Sequence, residues 1–220
     1  MTEFQPPDDA MMLVNYLVSR NIKKIAVFYM QNVAFSICDG EIEKAAKAKG
    51  IEVISSTHFP PGEVTDFRID LLKVKGKDPE MLVLLSFPPE SNIIGHQLKQ
   101  IGWDVPLTSI NSFEQSGEYA LWNGCVSVGS IDLNGKFAKE FYARYKRRTI
   151  YPGFVYDALT LLNNAYVKCG YNVLKLPEAI QAETPFEGIV GEAVNDQGTF
   201  KYEPFLVRMV NGMPERFELK

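Results

Sequence analysis

The feature that most constrains the fold of this 220-residue chain is an alternation of two hydrophobic periods. Five apolar runs read as strands: Lys24 to Tyr29 ("KIAVFY"), Glu52 to Thr57, Met81 to Leu85, Pro106 to Ile110 and Cys125 to Ser130. Segments with apolar side chains at helical spacing precede or separate the first four: Asp8 to Arg20, Ser36 to Lys49, Phe67 to Lys75 and Glu90 to Ile101. Strands that lack polar alternation and are joined by helices belong to a parallel sheet covered on both faces. The expected architecture is therefore α/β, a three-layer α/β/α parallel sheet. Gly50, Gly76 and Gly102 fall where left-handed helix caps belong.

The stretch "THFPPGEVTDF", residues 57 to 67, reads as a connection between two elements. Thr65 or Asp66 is the expected cap of the helix that follows, and Phe67, Leu71 and Val74 are its expected inward face.

Beyond Asn134 the alternation stops. Two long helical patterns follow directly on one another, Gly135 to Arg148 and Gly153 to Cys169. Phe137, Phe141 and Tyr145 make one apolar face, and Ala158, Leu161, Leu162 and Ala165 make another. The tail returns to β character, with Gly188 to Val194, a turn at "NDQG", a strand from Phe205 to Val210 and a hairpin turn at Asn211-Gly212. The α/β lobe thus carries an appended helical segment and C-terminal β strands.

Several function classes find no support in the residues. The formal charge is −4, and the one dense cation cluster, Lys139 to Arg148, ends a helical pattern where cations favour the helix dipole, so no nucleic acid partner is expected. No apolar run approaches the roughly 18 residues of a membrane span, and Met1 leads into polar, proline-rich chain, so neither an anchor nor a signal peptide is expected. Cys38, Cys125 and Cys169 are odd in number, so they cannot all pair internally, and they lack metal-ligand spacing; buried free thiols are the expectation. The segment after the first strand, "MQNVAF", has no glycine to let backbone approach a phosphate. His58 and His96 neighbour no Ser or Cys in a nucleophile context, and "LLSFPP" lacks the aspartate of a phosphoacceptor site. The expectation is a protein that is not an enzyme and needs no cofactor or metal.

In an open α/β sheet, ligands bind beyond the carboxyl ends of the strands where the strand order reverses. With the order 2-1-3-4-5, that point lies between the strands ending at Tyr29 and Leu85. "MQNVAF", "SFPPES" and "NSFEQ" then face one crevice. They offer Asn32, Phe35, Ser86, Phe87, Asn111 and Phe113, aromatic faces with neutral hydrogen-bonding groups that suit a small organic ligand. An equally open reading makes Phe35 and Phe87 ordinary core residues.

Five strings in order, "FPPGEVTDF", "DPEMLVLL", "YPGFVYDAL", "FEGIVGEAVNDQG" and "VRMVNGMP", resemble the type I periplasmic binding proteins, in particular the Leu/Ile/Val-binding branch that serves ABC importers. The likeness runs from about Phe4 to Phe217 and begins at "EFQPPDD", similar to that family's first interlobe crossing. It implies two lobes that close on a ligand. Residues 1–133 would form the second lobe, 134–204 would belong to the first, and 205–220 would return to the second. The earlier part of the first lobe would be missing, as in a shortened or fragmentary reading frame. The aromatic-glycine pair that the family places after the first strand matches Ala34-Phe35, with the aromatic displaced by one. Its aromatic after the third strand matches Phe87. The acid that would receive an ammonium group falls at Asn111, which is neutral.

The function implied is that of the substrate-binding component of an importer for branched-chain or related amino acids or small carboxylates. The alternative is a sensor domain of a receptor or regulator with the same fold. The implied partners are a small amino-acid-like ligand and an ABC permease, and the implied location is periplasmic or cell-surface. Apolar surface left on the two long helices would make a homodimer possible.

Overall fold

The computed structural model describes residues 5–130, 133–146, 151–196 and 199–219. Their contacts divide the chain into a larger compact unit, Pro6–Gly129 with Pro204–Lys220, and a smaller one, Met1–Gln5 with Ser130–Glu203.

The larger unit runs α1 (Pro6–Ser19), β1 (Lys24–Met30), α2 (Val33–Ala48), β2 (Glu52–Phe59), α3 (Arg68–Lys75), β3 (Met81–Leu85), α4 (Glu90–Gln100), β4 (Leu107–Ile110) and β5 (Val126–Gly129). The five strands lie side by side in the order β2-β1-β3-β4-β5, all parallel, and reproduce the expected order 2-1-3-4-5. Every residue of β3 is buried, as a central strand between two helix layers requires. Two strands from the tail of the chain then extend the sheet. Chain segment β9 (Phe205–Val210) pairs antiparallel with β5, and β10 (Met213–Phe217) pairs antiparallel with β9. Their connection is Asn211-Gly212, with φ of 51° and 75°, the left-handed pair a two-residue hairpin needs.

Two local expectations change. Gly50 and Gly102 are left-handed, at φ 70° and 58°, but Gly76 is right-handed at −64°, and the left-handed residue there is Asp78 at 57°. Lys77 N–H and Asp78 N–H bond back to Val74 and Lys75, so the helix tightens for two residues before it reverses. At the start of α3 the cap position is Phe67, with no side-chain cap bond. Asp66 sits one residue earlier, accepts from Arg68 N–H at 3.1 Å and pairs with the Arg68 guanidinium. Phe67, Leu71 and Val74 are buried as expected. The loop before them is tied to α4: Gly62 N–H donates to Glu90 Oε1 (2.7 Å), Phe67 N–H to Gln97 Oε1 (2.7 Å), and Gln97 Nε2 to the Thr65 carbonyl (2.9 Å). The quoted stretch is held by structural bonds.

The smaller unit holds α5 (Lys136–Tyr145), α6 (Tyr151–Lys168) and α7 (Leu176–Gln181) with a three-stranded antiparallel sheet. That sheet is β6 (Phe186–Glu187), β7 (Glu192–Asp196) and β8 (Thr199–Tyr202). Of the β run expected at 188–194, residues 188–191 form the turn between β6 and β7, and only 192–194 are strand. In the "NDQG" turn, residues 197 and 198 lie outside the described residues. The helix α7 and the strand β8 were not foreseen. Its core joins Leu133, Phe154, Leu161, Phe186, Ala193, Phe200 and Tyr202.

One α6 side chain organises this unit. Asp157 is fully buried, and its carboxylate accepts from Ile189 N–H (2.8 Å), Val190 N–H (2.9 Å) and the Tyr202 hydroxyl (3.3 Å). A Cβ at Gly188 would come within 3.0 Å of three Asp157 carboxyl atoms, so the turn reaches the helix only because residue 188 has none. The expected face of Ala158, Leu161, Leu162 and Ala165 is split. Leu161 and Ala165 enter the core, whereas Leu162 is exposed. Tyr142, Tyr145, Tyr151, Val155, Tyr156 and Leu159 are exposed with it.

Candidate ligand-binding edge

Parallel strands put the turns that follow β1, β3 and β4 on one edge of the sheet, and these three strands are adjacent. The turn after β2 emerges beyond β1, to one side. This topology gathers the sequence-derived candidates.

After β1, Asn32 takes extended backbone (φ −149°) and its side chain accepts from Phe35 N–H at 2.8 Å, capping α2. That bond uses its carboxamide oxygen. Ala34, in the first turn, is half-buried, and Phe35 is fully buried. After β3, Ser86 is fully buried, its hydroxyl donates to the Phe87 carbonyl (3.3 Å), and its N–H donates to Ser112 Oγ (3.4 Å). Phe87 is half-buried, and its ring lies 4.8 Å from that of Phe35 at 41°. After β4, Asn111 adopts a left-handed backbone at φ 52°. Its N–H donates to the Val128 carbonyl (2.8 Å), and its carbonyl accepts from Gln115 Nε2 (2.7 Å). Asn111 is 1% exposed.

The structure therefore brings Phe35 and Phe87 into contact and links the β3 turn to the β4 turn through Ser86 and Ser112. Asn32 and Asn111 hold backbone in place. Phe113 leaves the edge altogether: it is fully buried and stacks on Trp122 with centroids 4.6 Å apart at 18°.

Sequence reasoning passed over Glu114, three residues beyond Asn111. It is 2% exposed, Ser127 Oγ donates to its Oε1 at 2.7 Å, and its Oε2 meets no hydrogen-bond partner. Loss of water around the carboxyl pushes its pKa up to about 7, and the Ser127 bond only partly offsets this. Its one sequence signal was an acid inside the otherwise neutral "NSFEQ". Among the described residues, no group of three or more His, Cys, Asp or Glu side chains could hold a metal ion. No helix of the described residues is long and apolar enough to cross a membrane.

A doubly wound sheet with aromatic and amide groups at the turns of adjacent strands defines an open α/β lobe, and comparison with known proteins gives its kinship. A family model described as periplasmic binding protein matches residues 1–211, and the chain belongs to that family. Comparison with curated protein sequences returns no match. Among solved structures, an ABC transporter solute-binding protein from R. palustris, in complex with benzoate, matches at a TM-score of 0.85 and 17% identity over 99% of this chain and 64% of its own. The leucine-binding protein LivK from Thermotoga maritima matches at 0.81 and 17% identity, over 98% of this chain and 65% of its own. The branched-chain amino acid substrate-binding protein LivJ from Streptococcus pneumoniae, in complex with isoleucine, matches at 0.80 and 22% identity, over 96% and 64%. The fold is the type I periplasmic binding fold. The chain spans about two thirds of the length of these solved relatives, 64–65%.

Proposed function

We propose that this chain is the ligand-binding part of an ABC importer's substrate-binding component, for branched-chain or related amino acids or small carboxylates, and that it binds without chemistry. The observation that carries the reading is the convergence of three adjacent strand turns on the contacting rings of Phe35 and Phe87, in a member of the periplasmic binding protein family. Solved relatives of the same fold carry benzoate and isoleucine, both small carboxylates. In this reading Phe87, the more accessible ring, stacks on the apolar part of the ligand, and Asn32, Ala34, Phe35, Ser86 and Asn111 shape the edge behind it. The edge has a neutral amide at Asn111, which favours a ligand whose charge is met elsewhere. The domain division 1–133, 134–204 and 205–220, a periplasmic or cell-surface location and a permease partner belong to the same proposal. So does pairing of two copies through the exposed side chains of α5 and α6, because an apolar face of that kind calls for cover.

Titration of the isotope-labelled chain with leucine and with benzoate, followed by backbone amide NMR, tests the reading. The expected shifts centre on Asn32–Phe35, Ser86–Phe87 and Asn111, with a Kd in the millimolar range, about 4 kcal/mol of binding energy. No shift at these positions with either compound, up to tens of millimolar (about ten times that Kd), overturns it.

A further inference from the structure

In the smaller unit, α5 and α6 lie side by side and turn an aromatic and aliphatic face outward. No residue of α5 is buried. Its row of Phe137, Phe141 and Tyr145 stacks ring on ring, with centroids 6.1 and 4.6 Å apart, and Phe137 meets Tyr156 of α6 at 5.6 Å. Tyr151, Val155, Leu159 and Leu162 continue the face along α6, each between 42% and 62% exposed. Between the helices runs a shallow apolar groove of about 590 Å³, whose lining includes two charged side chains, Glu140 and Arg144.

Charge is segregated beside this face. Residues 136–148 hold six cations and one acid on a chain of formal charge −4, so the rest of the chain is acidic. Arg147 and Arg148 lie outside the described residues; Lys136, Lys139, Arg144 and Lys146 are all exposed. The helix dipole accounts for Arg144 and Lys146, at the carboxyl end of α5. It does not account for Lys136 and Lys139, which stand among the first four residues, where no acid is present and a cation is unfavourable. Glu140 offsets one of them, 4.0 Å from Lys136. Arg144 and Lys146 lie over the rings of Tyr145 (5.4 Å) and Tyr142 (5.9 Å), so their charges stand next to the apolar row. Aromatic and aliphatic side chains on one side of a helix, flanked by cations, are the make-up of helices that lie in a membrane interface.

We propose that the α5–α6 face docks on an anionic lipid bilayer. Val155, Leu159 and the tyrosine rings enter the boundary between headgroups and acyl chains, which deform to fill the groove, and Arg144 and Lys146 meet the lipid phosphates. Charge complementarity selects this occupant. A second copy covers the same rows but brings the Arg144 and Lys146 of two chains together, whereas an anionic surface attracts them, so the bilayer displaces pairing. The acidic remainder of the chain confines the attraction to this face. The inference does not rest on the ligand proposed for the strand-turn edge.

Cosedimentation of the full chain with sucrose-loaded vesicles tests the site, using phosphatidylcholine alone and phosphatidylcholine mixed with phosphatidylglycerol. The mixed vesicles are expected to bind at least about thirtyfold more tightly, about fivefold for each of two cations at the surface. High salt is expected to erase the difference, because the screening length falls from about 10 Å at 0.1 M to about 3 Å at 1 M. Arg144→Gln with Lys146→Gln should lower binding to mixed vesicles about thirtyfold. Val155→Ser with Leu159→Ser should lower it at least about tenfold, through the apolar area that no longer leaves water. All four side chains are exposed, and circular dichroism checks that each variant folds as the parent does. Lys44→Gln with Lys73→Gln removes the same charge from exposed positions on α2 and α3 and is expected to leave binding unchanged. No sedimentation with mixed vesicles, equal binding to both vesicle types, or an equal loss in the Lys44 and Lys73 variant overturns the site. Full binding by the Val155 and Leu159 variant overturns it too, by reducing the face to a patch for any polyanion, and a chain that stays paired and unbound beside mixed vesicles gives the face to a second copy.

Discussion

Replacing Glu114 by Gln tests whether the buried acid is neutral in the folded protein. Its folded-state pKa is pushed up to about 7 from an ordinary 4.5 because water is excluded, and the Ser127 bond offsets this only in part. Between those two values the folded chain keeps the proton and the unfolded chain releases it. The Glu114 contribution to stability is therefore fully present below about pH 4.5, declines as pH rises to about 7, and is constant above. The span corresponds to roughly 3 kcal/mol, at about 1.4 kcal/mol for each tenfold change in the ionisation constant. Glutamine has nearly the same shape, and its carbonyl can still accept from Ser127 Oγ, but it cannot ionise. Its amide takes the place of the unpartnered Oε2, at a cost of about 1–3 kcal/mol that does not vary with pH. Urea unfolding of both proteins from pH 4 to 9, followed by the fluorescence of Trp103 and Trp122 in the larger unit, gives the difference directly. The variant is expected to lose stability relative to the parent below pH 4.5 and to gain about 3 kcal/mol on that baseline by pH 8. Parallel pH profiles would refute the reasoning and show that the carboxylate ionises normally in its buried place.

Gly188→Ala is expected to destabilise the smaller unit by about 3 kcal/mol or more, since its methyl would meet the immobile Asp157 carboxyl; hydrogen exchange at Ile189 and Val190 reads the loss. Asn111→Ala should be less stable than Asn111→Gly by about 1 kcal/mol in thermal unfolding, because both lose the same side-chain groups and only alanine keeps a Cβ on the left-handed backbone at φ 52°. Light scattering at micromolar concentration is expected to find a dimer that Tyr145→Ser with Leu159→Ser dissociates; a monomer in the parent chain would remove the proposed pairing.

The central sheet was readable because each of its strands declares itself without help from distant residues. Met81 to Leu85 is five apolar residues bounded by an acid and a serine, and such a run has one stable environment, between two helix layers. Helix ends were readable for a similar reason where a glycine takes the left-handed backbone, as at Gly50 and Gly102. At Gly76 the same residue type marks a helix that continues, and only the added turn to Asp78 shows where the chain reverses.

The candidate edge was legible in outline and illegible in depth. Strand order and turn position follow from the alternation, so the turns carrying Asn32, Ser86 and Asn111 could be assigned to one edge. Which side chains face outward depends on packing that no local pattern encodes. Phe87 and Phe113 are both aromatic residues just after a strand, yet one is half-buried at the edge and the other is stacked beneath it on Trp122. Glu114 was invisible because burial of an acid is decided by the neighbours that surround it, here Ser127 from β5 and the glycine at 129 that leaves it room.

Helix α6 shows the limit most directly. Its 3.6-residue period produces two apolar rows: Phe154, Leu161 and Ala165 on one side, Tyr151, Val155, Leu159 and Leu162 on another. A helix apolar on most of its circumference has no preferred inward face by sequence alone. The choice is made by the β6–β8 sheet, whose Phe186, Phe200 and Tyr202 cover the first row, and by Asp157, whose buried carboxylate must face the Ile189 and Val190 amides. Because that polar latch fixes the rotation of the helix, the second row is turned to the surface whatever its hydrophobicity. Exposure of Val155, Leu159 and Leu162 is thus a consequence of satisfying one buried acid.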